Sequence, residues 1–442
     1  MNILNITKSL HERINSATSL DEILILSKTI DRLNLGTVKT VANYSDLLSE
    51  YPREGEVFFV ENEEQLYYGF NGLWFQVFRT ATTIAYGWGL NRGGYSTLIG
   101  QVSTRSSPVS AIGGITDWSQ ISSSETGGAG LRADGTVWSW GRNYTGGQLG
   151  DGTVIHKSSP VLVLGGFTDW ILVQSGNTHK LGLRSNGTIW SWGDNGFGRL
   201  GDNTSSNRSS PVLVVGGFTD WTYVSSRSLQ SIGLRSNGTL WGWGINNFGE
   251  LGDGTTTVRS SPVSVVGGFT NWVFVSSGAY STIGLRSNGT LWGWGRNNYG
   301  QLGNNTTSNR SSPVSVVGGF TDWTSVSCGV GHALGLRANG TLWAWGAGSF
   351  GRLGDNTTVS KSSPVSVVGG FTDWTSIEAS TSNSFGIRSN GTLWAWGENF
   401  NGTVGDNTTT DKSSPVPVVG GFTDWIDVSS WASSVIALRS TT

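Results

Sequence analysis

The stretch Thr290-Leu291-Trp292-Gly293-Trp294-Gly295 carries a Trp-x-Trp-Gly motif that returns along the chain. Its second tryptophan falls at Trp140, Trp192, Trp243, Trp294, Trp345 and Trp396, and at Trp88 in the variant Tyr86-Gly87-Trp88-Gly89. Successive positions differ by 52, 52, 51, 51, 51 and 51 residues. A period near fifty means that one supersecondary unit has been duplicated, and that no copy buries its apolar face alone.

Each period reads as four short strands. In one copy, Pro262-Val263-Ser264-Val265-Val266 alternates as a strand and Gly267-Gly268 turns; Trp272–Ser276 is a second strand and Ile283–Arg286 a third. Ser287-Asn288-Gly289 then turns into the fourth, Thr290–Trp294. Four antiparallel strands per period make a propeller blade, so the expected fold is mainly β, a seven-bladed propeller over residues 82–442. The array opens with a fourth-type strand (Ile84–Trp88) and closes with a third-type strand (Ile436–Arg439). A composite blade made from both termini should therefore close the ring and leave no free sheet edge.

Composition agrees with many strands joined by tight turns: 66 Gly and 22 Trp stand against one Cys and one Met among 442 residues. The lone Cys328 excludes an intrachain disulfide, and its place, taken by Ser or Ala in other copies, suggests a small buried filler. Net charge is −2, with no Lys/Arg run, so the basic stripe that nucleic-acid binding requires is missing. No stretch approaches eighteen apolar residues, which argues against membrane insertion, and the N-terminus shows no sign of an export signal.

Outside the period, residues 1–36 are expected to form amphipathic helices. Ile3, Ile6, Leu10 and Ile14 lie on one stripe, and Ser19-Leu20-Asp21-Glu22 is a capping box for a second helix ending at Gly36. Too short to stand alone, they are expected to serve assembly or homo-oligomerisation. Residues 37–81 read as a small β meander, with a hairpin at Asn71-Gly72 between Leu66–Phe70 and Leu73–Val77. The pattern Pro52-x-x-Gly55-x-Val57-x-x-Val60 followed by Leu66-Tyr67 and Asn71-Gly72-x-Trp74 resembles modules of bacteriophage tail-fibre and other virion structural proteins.

Within the array, Gly300-Gln301-Leu302-Gly303 after Trp294-Gly295, with Gly329-Val330-Gly331-His332-Ala333-Leu334 before the next beat, resembles the regulator-of-chromosome-condensation repeat family. The resemblance implies a seven-bladed propeller. The best-known member of that family exchanges nucleotide on a small GTPase and binds chromatin through a basic tail and an inserted wedge. Here the N-terminus is acidic and the even spacing leaves no room for an insertion, so exchange activity does not carry over.

Residues repeated in every copy point to packing. Arg132, Arg184, Arg235, Arg286, Arg337, Arg388 and Arg439 form a ring expected to stack on Trp or bridge neighbouring blades. Asp151, Asp202, Asp253, Asp355 and Asp406 each supply one carboxylate per loop, the requirement of an Asx turn, whereas calcium needs six to eight converging oxygens. The four histidines lack metal-ligand spacing, and no nucleophile–base set or carboxylate pair for glycan cleavage can be assembled. No catalytic residue, metal or cofactor is expected.

Recognition is sought where the copies differ. One short column before the Gly-Leu-Arg strand varies while its flanks do not: Glu125 and Thr126; Asn177, Thr178 and His179; Arg227, Leu229 and Gln230; Tyr280 and Ser281; Val330 and His332; Thr381 and Asn383; and Trp431. Hairpin geometry brings the loops after Trp-Gly, with Tyr144, Phe197, Phe248, Tyr299, Phe350 and Phe400, to the same face. That combination suits a carbohydrate or protein contact surface. The expected function is a non-enzymatic virion structural protein: residues 1–81 contact other virion proteins and the propeller rim contacts a host-surface glycan or protein. The alternatives are a bacterial cytoplasmic interaction scaffold and a glycan-cleaving enzyme.

Overall fold

The computed structural model describes residues 38–41, 57–60, 65–70, 73–77, 82–91, 104–111, 113–144 and 146–441. The helices expected over residues 1–36 lie outside them. The chain divides into two compact units, residues 1–82 with 441–442, and residues 83–440.

The first unit holds a four-stranded sheet of Val38–Val41, Val57–Val60, Gln65–Phe70 and Leu73–Val77, in that order. The last three pair antiparallel in sequence order, as expected of a meander, with Phe70 opposite Leu73. Val38–Val41 adds a parallel strand that the sequence reading did not anticipate.

The second unit is a ring of seven four-stranded antiparallel sheets. Its innermost strands are Trp118–Ser124, Trp170–Ser175, Trp221–Ser226, Trp272–Ser277, Trp323–Cys328, Trp374–Ala379 and Trp425–Trp431, heading blades 1 to 7 in that order. Blade 4 continues outward through Ser281–Arg286, Leu291–Gly295 and Arg310–Ser315. The Pro-containing strand is thus the outermost of a blade, paired to the Trp-x-Trp strand before it (Trp292 opposite Ser315). The blade phase read from the sequence is corrected by one strand. The Gly-Gly-Phe-Thr-Asp link carries the chain from one blade's outer edge to the next blade's inner edge. Three strand spacings are about 14 Å, which five extended residues can cover.

Closure is composite. Blade 7 is Trp425–Trp431 and Ser434–Thr441 from the C-terminal end, followed by Thr82–Gly89 and Arg105–Ser110 from the start of the array. Each end supplies two strands, not the three-plus-one division expected.

The beat tryptophans Trp88, Trp140, Trp192, Trp243, Trp294, Trp345 and Trp396 are fully buried. Burying a side chain of this size is worth about 4–6 kcal/mol at 25 cal/mol per Å². Most meet the tryptophan that starts an inner strand, as in Trp272–Trp294 with ring centroids 5.8 Å apart. The Gly-Leu-Arg glycine makes room for that ring: a Cβ at Gly284 would lie 2.6 Å from the Trp272 Cζ3 atom. Four indoles also join adjacent blades, such as Trp294 Nε1 donating to the Glu250 carbonyl at 2.9 Å.

The arginine ring closes each blade on itself. Arg184 Nε donates to Asp169 Oδ1 at 2.8 Å while its guanidinium lies 3.9 Å from the Phe167 ring centre and 6.0 Å from that of Trp190. In blades 2 to 7 the ring nearest the arginine is a Phe, with the expected Trp farther off, whereas in blade 1 Arg132 lies over Trp138 at 5.7 Å; the Arg184 ion pair stays inside its blade and does not bridge to a neighbour. In blade 4, Asn271 keeps the acceptor without the charge, taking the Arg286 Nε–H at 2.8 Å. The Leu-Gly-Asp loops are Asx turns, with Thr153 N–H donating to Asp151 Oδ1 at 3.0 Å and Thr204 N–H to Asp202 Oδ1 at 3.1 Å. Cys328 is buried, and burial pushes its thiol up to about 12.

Candidate functional site

The variable column and the Trp-Gly loops do meet on one face. Arg199 Nη1 donates to Thr178 Oγ1 at 2.6 Å, Arg352 Nη1 to the Thr381 carbonyl at 3.0 Å, and Phe248 packs edge-on against Tyr280 at 5.7 Å.

Within the column the structure separates two kinds of residue. Glu125, Thr126, Asn177, Thr178, Leu229, Tyr280, Val330 and Thr381 are half-buried. His179, Gln230, Ser281, His332 and Asn383 are buried, each as the first residue of a blade's second strand. Three of their side chains, those of His179, Gln230 and His332, bond to the next blade. His179 Nε2 lies 3.0 Å from Ser231 Oγ and 3.1 Å from Ser226 Oγ in blade 3, and His332 Nε2 lies 2.9 Å from Ser384 Oγ in blade 6. Gln230 Nε2 donates to the Gly278 carbonyl of blade 4 at 2.6 Å, and Asn383 Nδ2 donates to the Glu398 carbonyl. Burial holds both histidines well below the ordinary histidine range.

The loop aromatics are more open than the column. Tyr144, Phe197, Tyr299, Phe350 and Phe400 are exposed, and only Phe248 is half-buried. Four guanidiniums accompany the series: Arg142 lies 5.7 Å from Tyr144, Arg199 5.4 Å from Phe197, Arg296 5.3 Å from Phe248 and Arg352 5.5 Å from Phe350. Phe350 also has φ +62°, a left-handed conformation costly for a bulky side chain.

The remaining two column members, Arg227 and Trp431, are buried and belong to the central channel. That channel holds a cavity of about 350 Å³ lined by the inner strands. Inner strands of a propeller have one edge with no strand beside it, so their N–H groups need other acceptors. Serine four residues after the strand-opening tryptophan provides them. Ser122 Oγ accepts from Ser175 N–H at 2.8 Å, Ser225 Oγ from Ser277 N–H at 2.9 Å, Ser276 Oγ from Cys328 N–H at 3.0 Å, and Ser327 Oγ from Ala379 N–H at 2.8 Å. Ser429 Oγ takes Ser123 N–H at 2.8 Å, so the stitching runs through the closure from blade 7 to blade 1.

Departures from serine put charge into this channel. Glu378 replaces it in blade 6, and Arg227 reaches across from blade 3 to lie 3.3 Å from Glu378 Oε1. Arg227 Nη2 also donates to the Ser430 carbonyl at 3.2 Å, and the guanidinium lies 5.0 Å from the Trp431 ring centre. Ser327 Oγ donates to Glu378 Oε2 at 3.1 Å. Two residues after the opening tryptophan stand Tyr223 and Phe274, with ring centroids 4.9 Å apart, and Asp427 of blade 7. Burial pushes the Asp427 carboxyl up to about 6, with the charge of Glu378 adding to the effect. The sequence reading missed Glu378, Asp427, Tyr223 and Phe274. Their signal was a second irregular column inside the inner strand, where Gln174 and Glu378 interrupt an otherwise constant serine.

Among the described residues, no group of three or more His, Cys, Asp or Glu is placed to hold a metal, and no helix is long and apolar enough to cross a membrane.

Comparison with known proteins agrees with this architecture. A model of the RCC1-like domain matches residues 171–438, and one of the regulator of chromosome condensation (RCC1) repeat matches residues 134–183. The E3 ubiquitin-protein ligase HERC2 of Mus musculus is 28% identical over 302 residues, which is 66% of this chain but 6% of the ligase. The ultraviolet-B receptor UVR8 of Arabidopsis thaliana is 29% identical over 290 residues, 63% of this chain and 64% of the receptor. Human WBSCR16 superimposes with TM-score 0.71 at 20% identity, covering 80% of this chain and 99% of that one. Prp20p of Saccharomyces cerevisiae, whose structure was described with its binding to Gsp1p and histones, gives 0.73 at 18% identity over 82% of this chain and 93% of its own. The family model covers more than half of the sequence, and the ring, the blade count and the Gly-Gln-Leu-Gly element are those of its repeats: this chain belongs to the RCC1-like domain family.

Proposed function

We propose that the propeller is a non-catalytic binding module whose rim, on the face of the Trp-Gly loops, grips a protein partner. One observation carries the reading: Tyr144, Phe197, Tyr299, Phe350 and Phe400 are exposed together on that face, several beside a guanidinium. Aromatic and Arg side chains are the enriched anchors of protein interfaces. The similarity to Prp20p, a propeller described as binding proteins, supports a protein over a glycan.

The test is affinity capture with the full chain and with a variant carrying Phe197→Ala, Tyr299→Ala, Phe350→Ala and Phe400→Ala. A partner retained by the parent and lost by the variant, at unchanged melting temperature, supports the rim. Equal capture by both defeats it.

Display on a particle through residues 1–81 is the second part of the proposal. It rests on the resemblance of residues 52–74 to virion modules, and it would make the partner a virion protein or a host-surface component. Purified particles that contain the chain support it, and particles without it end it.

A further inference from the structure

We infer that the central channel binds a primary ammonium group on a slim alkyl chain, held between the Asp427 carboxylate and the Tyr223 and Phe274 rings. The inference concerns a different surface from the rim and does not depend on it.

Three charged side chains line the cavity: Arg227, Glu378 and Asp427. Arg227 is committed to Glu378 at 3.3 Å, to the Ser430 carbonyl and to the Trp431 face. Among the described residues Asp427 is left as the charge without a cation. It accepts from the Ile121 N–H at 3.5 Å and from the Val428 N–H, which leaves about half the acceptor capacity of a carboxylate unused. A carboxylate so placed is costly, and blades 5 and 6 show that the fold does not need it, since Ser325 and Ser376 occupy the same station.

The side chains at that station differ around the ring. Blades 3 and 4 contribute Tyr223 and Phe274, blades 5 and 6 the small Ser325 and Ser376, blade 7 Asp427 and blade 1 Gln120, all of them on the cavity wall. Aromatic faces, a single free carboxylate and hydroxyls around open space are complementary to an ammonium with a short hydrocarbon stem. A volume of about 350 Å³ lies at the small end of ligand pockets. The Ser430 hydroxyl, on a cavity-lining residue only 2% exposed, also lacks a partner among the described residues and can accept from an ammonium. Exposed Thr375 on the wall gives the cavity contact with solvent.

Such an ammonium has two sources, a free amine or the lysine side chain of a partner. The experiment uses the full chain at neutral pH with n-butylamine, with the neutral isostere n-butanol, and with the N-acetylated peptide Gly-Gly-Lys-Gly, following the melting temperature. Saturating amine should raise it by about 3 °C, the shift expected near 100-fold excess over the dissociation constant for a chain of this size. Asp427→Ser should abolish the shift, and the rim variant of the previous section should retain it. A tighter peptide assigns the ammonium to a partner's lysine, and tighter butylamine assigns it to a free amine; both support ammonium recognition. The inference is overturned if amine and peptide give no shift up to ~100 mM, if butanol matches butylamine, or if Asp427→Ser responds like the parent.

Discussion

The Arg227 guanidinium of blade 3 and the Glu378 carboxylate of blade 6 lie 3.3 Å apart across the central channel, although 151 residues separate them. No other blade has a charged residue at either station. Arg227→Ala leaves a mostly buried carboxylate without its counter-ion, a loss that costs about 3–5 kcal/mol. The double variant Arg227→Ala with Glu378→Ser restores the hydroxyl that serves five other blades and should recover most of that stability. Chemical denaturation of the two variants measures the difference.

Asp427 gives stability a pH dependence of known sign. Its folded carboxyl is pushed up to about 6, above its unfolded value of 3.8, so the folded state binds the proton more tightly. The corresponding stability is fully present below pH 3.8 and is lost as pH rises through 6. At pH 8 Asp427→Ser should therefore be more stable than the parent by ~1–3 kcal/mol, and the gain should vanish near pH 4. His179 and His332 act oppositely: burial lowers their folded values, so the parent and Asp427→Ser alike should weaken as pH falls below the unfolded histidine value of 6.5. Urea titrations of parent and variant from pH 4 to 8 separate the two effects.

Lys180 is buried beside His179, and burial lowers its ammonium to about 8. Ser231, at the same place in blade 3, donates its hydroxyl to the Arg199 carbonyl at 2.9 Å. Lys180→Ser should stabilise the ring by ~1–3 kcal/mol at pH 7. A gain that persists undiminished at pH 11, where the parent lysine is neutral, would contradict this cause.

Closure of the ring depends on the last strand. Val435, Ile436, Ala437 and Leu438 are fully buried, and Ile436 and Leu438 share a cluster with Ala85, Trp118 and Trp140 of the opposite end of the array. Deleting residues 435–442 should abolish the cooperative melt. A truncated chain that melts like the parent would refute composite closure.

The period of the Trp-x-Trp-Gly beat made the blade count and the closure legible, because burial of Trp294 and its counterparts demands the same unit each time. The blade phase was not legible: the strand ending at Ser264 has a short link to Trp272, yet pairs with Trp241, because a link of that length serves a hairpin or a radial crossing of about 14 Å equally well. The candidate surface was legible only in part. Variation at His179, His332 and Gln230 looked like recognition, but these are interblade contacts: each imidazole meets a hydroxyl of the next blade, and the Gln230 amide donates to the Gly278 carbonyl of the next. Channel residues such as Asp427 were hidden because an inner strand does two jobs, and alternation places every second side chain in the channel without changing the surrounding pattern.

The rim offers the most direct test of the central claim, that the buried repeats build the ring and the exposed loop aromatics do the binding. Phe350→Asn alone should raise stability by ~1 kcal/mol, because Asn tolerates the left-handed backbone that Phe350 is forced into. The deciding measurement is partner capture by the variant with Phe197, Tyr299, Phe350 and Phe400 changed to Ala, read beside its melting curve. Capture lost with melting within about 2 °C of the parent is the predicted result; capture retained at parental strength would contradict the account.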